Sequence, residues 1–424
     1  MDKLGLNYAK HLDGEDKLRK YRDRFYLNEK EIYMDGNSLG LLSKDAEESL
    51  LRVLNEWKEL GINGWGDAKV PWFYYAENLA KLQAPLVGAK AEELIIHSST
   101  TLNLHCMLST FFNPTNEKNK LMIDILNFPS DRYAVESHLK LRGLDPKENL
   151  VVIESSDGRT LDEDYIISNM KDDVALILLP GVLYRSGQLL DMEKLTEAAH
   201  KRNIIIGFDC CHSAGSVPHE FDKWDVDFAF WCNYKYLNNG PGGTASIYIN
   251  EKHLKNGPGM AGWFGYNKSK QFDLAQDFIP ENTAGAWQVG TPHMLSMAPL
   301  EGSLNLFNEA GMKNLREKSL KLTDYLMMLI DNILVPYGFT IGTPREDSKR
   351  GGHVALEHDE AVRINEVLKA KGVVPDFRYP NVIRLAPIAL YTSFEDVWKV
   401  VDTINNIMES REYEKYSSER GTIA

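Results

Sequence analysis

A lysine, a carboxylate and an imidazole are drawn together in the stretch Asn203–Ile249, NIIIGFDCCHSAGSVPHEFDKWDVDFAFWCNYKYLNNGPGGTASIYI. An apolar run, Ile204–Phe208, ends abruptly in Asp209, and His212 follows three residues later. A second apolar run, Val226–Trp231, delivers Asn233, Tyr234 and Lys235 ahead of NNGPGG. Lys235 lies 26 residues after Asp209. A lysine amine can condense with an aldehyde. A carboxylate can hold a pyridine nitrogen protonated, so that the ring accepts electrons. Placed at the ends of two strands, these residues have the layout of a pyridoxal-phosphate (PLP) site. A buried strand end followed by a surface lysine in a turn would look the same locally, so the rest of the chain has to decide.

The elements around this stretch alternate. Leu121–Leu126, Leu150–Glu154 and the continuous apolar run Val174–Pro180 are strand candidates. Asp131–Arg142, Leu161–Met170 and Asp191–Arg202 are helix candidates between and after them. That rhythm predicts an α/β domain with a mostly parallel central sheet flanked by helices. Ligands of such sheets sit outside the carboxyl ends of the strands, where Asp209 stands. Upstream, the short run Leu94–His97 leads into Ser98, Ser99, Thr100 and Thr101 and then a helical pattern. Four hydroxyl residues at a helix start serve as N-caps, or leave free N–H groups for a phosphate; the spacing alone does not choose.

Four segments are expected. Residues 1–60 form a polar arm and a helix, Lys44–Leu60, that pack with a small domain. In that helix Leu50, Leu51, Leu54 and Trp57 repeat at helical spacing. Residues 61–293 form the large domain, and 294–410 a smaller α+β domain with strand candidates at Phe339–Ile341, His353–Glu357 and Val382–Ala386. Residues 411–424 are expected as a disordered tail.

Composition narrows the function. The 424 residues carry a formal charge of −13, which argues against nucleic-acid and anionic-membrane partners. Four cysteines without a CxxC pair make neither a disulfide framework nor a zinc site, and no metal is expected. The charged N-terminus has no apolar signal region and no apolar run approaches membrane-spanning length, so a cytoplasmic protein is expected. Gly240–Ala245 fits a relaxed G-x-G-x-x-A pattern, but a strand follows it where a dinucleotide site needs a helix. A non-catalytic PLP-fold binding protein would be expected to lack the lysine, which is present. A PLP-dependent cysteine desulfurase-like lyase is the alternative enzyme. It needs a mobile nucleophilic cysteine, whereas Cys210, Cys211 and Cys232 lie in strand-like context and Cys106 in a helical one.

Seven motifs carry a resemblance to one family: DGNSLGLLS, NFPSDRYAVESHL, FDCCHSAGS, WCNYKYLNNGPGG, GWFGY, GTPHMLSMAPLEGSL and NVIRLAPIALYTSF. In this order, from about Tyr33 to Trp398, the chain resembles kynureninase. The resemblance implies PLP fold type I, with a large domain and a smaller α+β domain. It implies hydrolysis of L-kynurenine to anthranilate and L-alanine, a step of tryptophan catabolism and NAD biosynthesis. It also implies a homodimer with shared active sites.

Residue by residue, the resemblance implies that Lys235 condenses with the cofactor and that Asp209, beside His212, pairs with its ring nitrogen. Phe128 stacks on the ring and Asp131 lies near it. Thr100, Thr101 and Tyr234 contact the phosphate, with Trp263 and Thr291 supplied by the other subunit. Tyr234 is also the candidate acid/base, making the expected catalytic set Lys235, Tyr234 and Asp209. Arg384 clamps the substrate carboxylate, and Asn37 and Ser38 lie near the substrate. Trp65 and Gly290 match the type that prefers kynurenine over 3-hydroxykynurenine.

Overall fold

Apolar runs bounded by turn residues become thirteen strands in the computed structural model, which describes residues 2–419 and 421. In chain order they are β1 (Ile32–Tyr33), β2 (Leu94–Ile96), β3 (Lys120–Asp124), β4 (Leu150–Ile153), β5 (Val174–Pro180), β6 (Ile205–Asp209) and β7 (Phe228–Trp231). There follow β8 (Ser246–Ile249), β9 (Thr340–Ile341), β10 (Val354–Glu357), β11 (Val373–Val374), β12 (Asp376–Arg378) and β13 (Val382–Leu385). Seven of them form one sheet in the order β2-β8-β7-β6-β5-β3-β4. Neighbours from β4 through β7 pair in parallel, and β8 is antiparallel to both β7 and β2. β5 is nearly all buried, as a strand covered on both faces must be. Helices Pro129–Leu141, Glu163–Ser168 and Met192–His200 make the crossovers. This is the α/β architecture expected from the alternation.

The second unit is an antiparallel sheet, β12-β13-β10-β9. Helices Met312–Leu329, Ala361–Ala370 and Phe394–Ser410 bury Leu326, Leu368 and Val401 in a core shared with Phe377 and Ile383 of the sheet. The N-terminal arm belongs to this unit. β1 pairs with β11, and Ala9 of the helix Leu6–Glu15 enters the same core. The Asp13 carboxylate accepts the N–H groups of Phe394 (2.8 Å) and Glu395 (2.9 Å), capping a helix that starts 381 residues downstream.

Packing moves two of the expected boundaries. The helix Met294–Ala310, assigned from sequence to the small domain, places Leu300, Leu304 and Phe307 in the large core. It lies so close to the helix Lys44–Leu60 that a methyl at Gly302 would strike the Asp45 carbonyl. Lys44–Leu60 thus joins the large unit instead of packing with the small one. Its buried face is Ala46, Ser49 and Val53. Leu51, Leu54 and Trp57 face outward, Trp57 with 58% exposure. Small residues won the inner face because only they allow the close approach to Gly302. The tail expectation is also corrected in part. Glu412–Lys415 form a 3₁₀ turn, and Glu412 is paired with Lys371 at 2.7 Å. Positions 420 and 422–424 lie outside the described residues.

Asp13→Ala removes both acceptors at the start of Phe394–Ser410. It is expected to cost about 0.5–2 kcal/mol of stability and to speed proteolysis within the first thirty or so residues. Urea unfolding and limited trypsin digestion check this; an unchanged midpoint and digestion rate would show that the arm is held by its apolar contacts alone.

Candidate active site

The parallel strands deliver polar residues to one edge. β3 ends in Asp124 and leads to Phe128, Ser130 and Asp131 at the start of Pro129–Leu141. β5 leads to Tyr184, β6 ends in Asp209 ahead of His212, and β7 leads to Tyr234 and Lys235. β2 leads through Ser98, which turns the chain at φ 49°, to Thr100 and Thr101. One cavity is lined by residues of all five strand ends, by Asn37 and Ser38, and by Arg378 and Arg384 of the small unit.

At its centre Lys235 Nζ lies 3.0 Å from His212 Nε2 and 5.9 Å from the centre of the Phe128 ring. Phe128 stands edge-on to Tyr184, with ring centres 5.3 Å apart. Burial, reinforced by the charge of Lys235, holds His212 well below the usual histidine range, so the ring is neutral and Nε2 can accept from the lysine. Asp209 accepts the Cys211 N–H at 2.8 Å. Asp131 is hydrogen-bonded to Asp209; burial, and then the charge of Asp209, push its carboxyl well above the ordinary range. Burial also lifts Asp124 to about 7. Burial raises the Tyr234 phenol, so its proton is retained.

Two further ends of the cavity have distinct chemistry. At the start of the helix Thr100–Phe111 the Ser99 side chain makes no capping bond, and Thr101 Oγ1 meets Ser130 Oγ at 2.6 Å. Hydroxyls that do not cap leave first-turn N–H groups open to an anion. On the opposite side, Arg384 is 1% exposed. It is paired with Asp376 and donates to the Tyr184 carbonyl at 2.7 Å and to Ser38 Oγ at 3.1 Å. Asn37 is fully buried, and both its amide atoms lack a partner among the described residues. The loop bearing Asn37 and Ser38 is pinned by the Gly40 N–H, which donates to the Tyr234 carbonyl at 2.8 Å. A methyl at Gly40 would strike the Lys235 carbonyl.

Eleven of the residues singled out from sequence line this cavity: Asn37, Ser38, Thr100, Thr101, Phe128, Asp131, Asp209, His212, Tyr234, Lys235 and Arg384. Trp65, Trp263, Gly290 and Thr291 do not. They belong to a separate aromatic surface, where Trp65 packs on Phe264 at 5.8 Å and Gly262 abuts Val289. Lys268 anchors that surface, with its amine 5.0 Å from the Phe73 and Tyr74 rings, 5.4 Å from Phe264, and paired with Glu77. Ser130, Tyr184, Asp376 and Arg378 were not singled out. The D-x-R spacing of Asp376 and Arg378, a strand period, was the available signal for two of them. The strand-like context expected for the cysteines is also corrected. Cys210, Cys211 and Cys232 fall just past the ends of β6 and β7, and Cys211 lines the cavity. All four cysteines are free and buried.

A family profile described as the kynureninase C-terminal domain matches residues 315–404. The chain is 56% identical over 419 residues to a kynureninase of Geobacillus thermodenitrificans, covering 99% of this chain and 98% of that one. It is 56% identical over 417 residues to a kynureninase of Bacillus cereus, covering 98% and 97%. Among solved structures it resembles C-DES with glycine linked to its PLP cofactor (TM-score 0.78, 15% identity, 91% and 99% covered). It also resembles a cysteine desulfurase of Thermococcus onnurineus (TM-score 0.75, 19% identity, 92% and 98% covered). At those identities the structural likeness speaks for the fold.

PLP is the cofactor of this fold and family, and the cavity's donor set fits it. An amine, an aromatic face, an uncapped helix start and a buried carboxylate pair suit an aldehyde, a flat ring, a phosphate and a cationic ring nitrogen respectively. Gly40→Ala tests how tightly the loop over this cavity is held. The added methyl is expected to cost about 1–3 kcal/mol of stability and to lower turnover by displacing Asn37 and Ser38. Thermal melting and steady-state kinetics check it; wild-type values in both would mean the loop has slack.

Proposed function

The chain belongs to the kynureninase family, and from that premise we propose how its residues divide the hydrolysis of L-kynurenine to anthranilate and L-alanine. It is a PLP-dependent hydrolase acting on carbon–carbon bonds. The observation that carries the reading is the near-full-length match at 56% identity, joined to a cavity where Lys235 and Arg384 face the same space.

When bound, PLP supplies an electron sink conjugated to the substrate's Cα. Lys235 would hold the cofactor aldehyde, and its free amine is the base for the substrate Cα proton. The neutral His212 accepts from Lys235 and fixes its direction. Asp209, with Asp131 as its hydrogen-bonding neighbour, would hold the ring nitrogen and keep it protonated. Phe128 covers the ring face, and Thr100, Thr101 and Tyr234 hold the phosphate. Arg384 takes the α-carboxylate, and the unpartnered amide of Asn37 with Ser38 meets the rest of the substrate. Cleavage of Cβ–Cγ, after water adds to the ketone, leaves Cβ in need of a proton. Tyr234 retains its phenolic proton, which suits an acid at Cβ better than a base for the water.

The test is anthranilate fluorescence on incubation of the purified, PLP-loaded protein with L-kynurenine. Anthranilate is expected to accumulate in wild type and not in a folded Lys235→Ala variant; wild type that releases none overturns the reading.

Trp263 and Thr291, off the cavity of their own chain, are read as phosphate contacts supplied by a second copy. The exposed Leu51, Leu54, Trp57, Phe272 and Leu274 support a homodimer, because large apolar side chains left outward need a cover. Hybrid dimers made from an inactive Lys235→Ala parent and an inactive Trp263/Thr291 double variant are expected to regain activity. No recovery after verified subunit exchange would place each site within one chain. No helix among the described residues is long and apolar enough to cross a membrane. The free cysteines suit a reducing compartment, and the reading is a cytoplasmic enzyme.

Kynurenine is expected to be preferred over 3-hydroxykynurenine. Trp65 and Gly290 lie on the aromatic surface off the cavity of their own chain, so they are read, with Trp263 and Thr291, as reaching the substrate of a second copy; neither offers a side-chain acceptor to a 3-hydroxyl group. An unmet buried hydroxyl costs about 1–3 kcal/mol, roughly ten- to a hundredfold in specificity. The ratio of kcat/KM for the two substrates checks this; equal values would remove Trp65 and Gly290 from the specificity argument.

A further inference from the structure

Arg384 is not the only guanidinium in the cavity. β12 and β13 pair antiparallel with Asp376 opposite Arg384. Alternation along β12 puts Asp376 and Arg378 on one face, while Phe377 between them is buried in the small core. Three charged side chains are thereby presented together to the large unit. Asp376 is paired with both arginines, directly with Arg384 and at 3.0 Å with Arg378 Nε.

The donor count separates the two. A guanidinium has five N–H groups. Arg384 commits its Nε to Asp376, and its Nη2 to Asp376 and Ser38. Its Nη1 donates to the Tyr184 carbonyl. One N–H on Nη1 is left. Arg378 commits only Nε; neither of its terminal nitrogens has a hydrogen-bond partner among the described residues. Its side chain is 31% exposed and lines the cavity. Charge points the same way. Two guanidinium groups share one paired carboxylate, Asp376, which cannot saturate the donors of both. Asp35 adds a second, more distant carboxyl that feels both arginines; it hydrogen-bonds Ser38, and burial lifts it to about 6.

We propose that Arg378 is a second substrate-binding residue, and that the substrate α-carboxylate is held between Arg378 and Arg384 with Asp376 keeping the two guanidinium groups in register. A fork needs two free N–H groups on one side. Arg378 has them, while Arg384 contributes its remaining Nη1 hydrogen and rigidity. The proposal rests on the substrate reading given above.

The experiment is Arg378→Gln in the PLP-loaded enzyme. KM for L-kynurenine is expected to rise about 10- to 100-fold, with kcat changed by no more than about threefold, as loss of a charge-assisted contact made equally in ground and transition states requires. Binding of two non-reacting ligands is then titrated through the cofactor's absorption: a carboxylate-bearing amino acid competitor, and the corresponding amine that lacks the carboxylate. The first is expected to weaken by the same factor and the second to bind as in wild type. An unchanged KM, or an equal loss for both ligands, overturns the proposal, the latter by making Arg378 structural. Should Arg378→Gln not fold, Arg378→Lys keeps the charge without the fork, and the same split between ligands is expected. Because the titration needs no turnover, a wild-type enzyme that does not cleave kynurenine would sink the substrate reading separately.

Discussion

Three parts of the molecule meet at the guanidinium of Arg384. It stands on β13 of the small unit, bonds the Tyr184 carbonyl of the large unit, and reaches Ser38 of the N-terminal loop. Desolvating such a charge is expensive, and Asp376, itself buried, compensates it. Removing the acid alone would leave a buried cation unpaired, at about 3–5 kcal/mol. The domains are therefore held where they are by the same charge that faces the cavity. That coupling explains the position of the arm. With β1 on β11 and Asp13 on the Phe394 helix, the arm fixes the small unit beside the loop 35–43, which Gly40 presses onto the Lys235 turn.

Much of the site was legible because its chemistry is local. Asp209 terminates an apolar run that could only be a buried strand, and Lys235 follows another, so both fall at the same sheet edge once the strands pair in parallel. Asp376 and Arg378 offered only the weak D-x-R spacing as a signal. Their strand is three residues long with one apolar position, and its partner Arg384 is identified only by the antiparallel register. The helix Lys44–Leu60 misled for a different reason. Its large apolar residues repeat at helical spacing, yet the inner face was taken by Ala46, Ser49 and Val53, because a neighbouring glycine let two backbones approach. Periodicity reports that a helix has an apolar face; it does not report whether the same chain or another copy covers it.

The likeness to desulfurases shows how little of the chemistry the scaffold decides. One fold can host unrelated chemistries. In this chain three of the four cysteines sit near that edge, but each is buried and Cys211 is the one that reaches the cavity. Burial pushes the thiols of Cys210 and Cys211 up and away from thiolate character. A nucleophile on a mobile segment is what a sulfur-transferring site would need, and these positions are buried just past the ends of β6 and β7.

The carboxylates show how the site's charges were chosen. Asp131 and Asp209 are buried at one end of the cavity, and Asp124 is buried nearby at the end of β3. An acid raised by burial and by a like neighbour is stabilising to the fold only while it is protonated, and that contribution is lost as pH rises through its folded-state value. For Asp124, at about 7, the loss begins in the ordinary carboxylate range and is complete near neutrality; Asp131 is shifted in the same direction. A cation between the carboxylates reverses the sign, since each then gains from being ionised. A ligand cation bound among these carboxylates would therefore stabilise the folded chain by linkage.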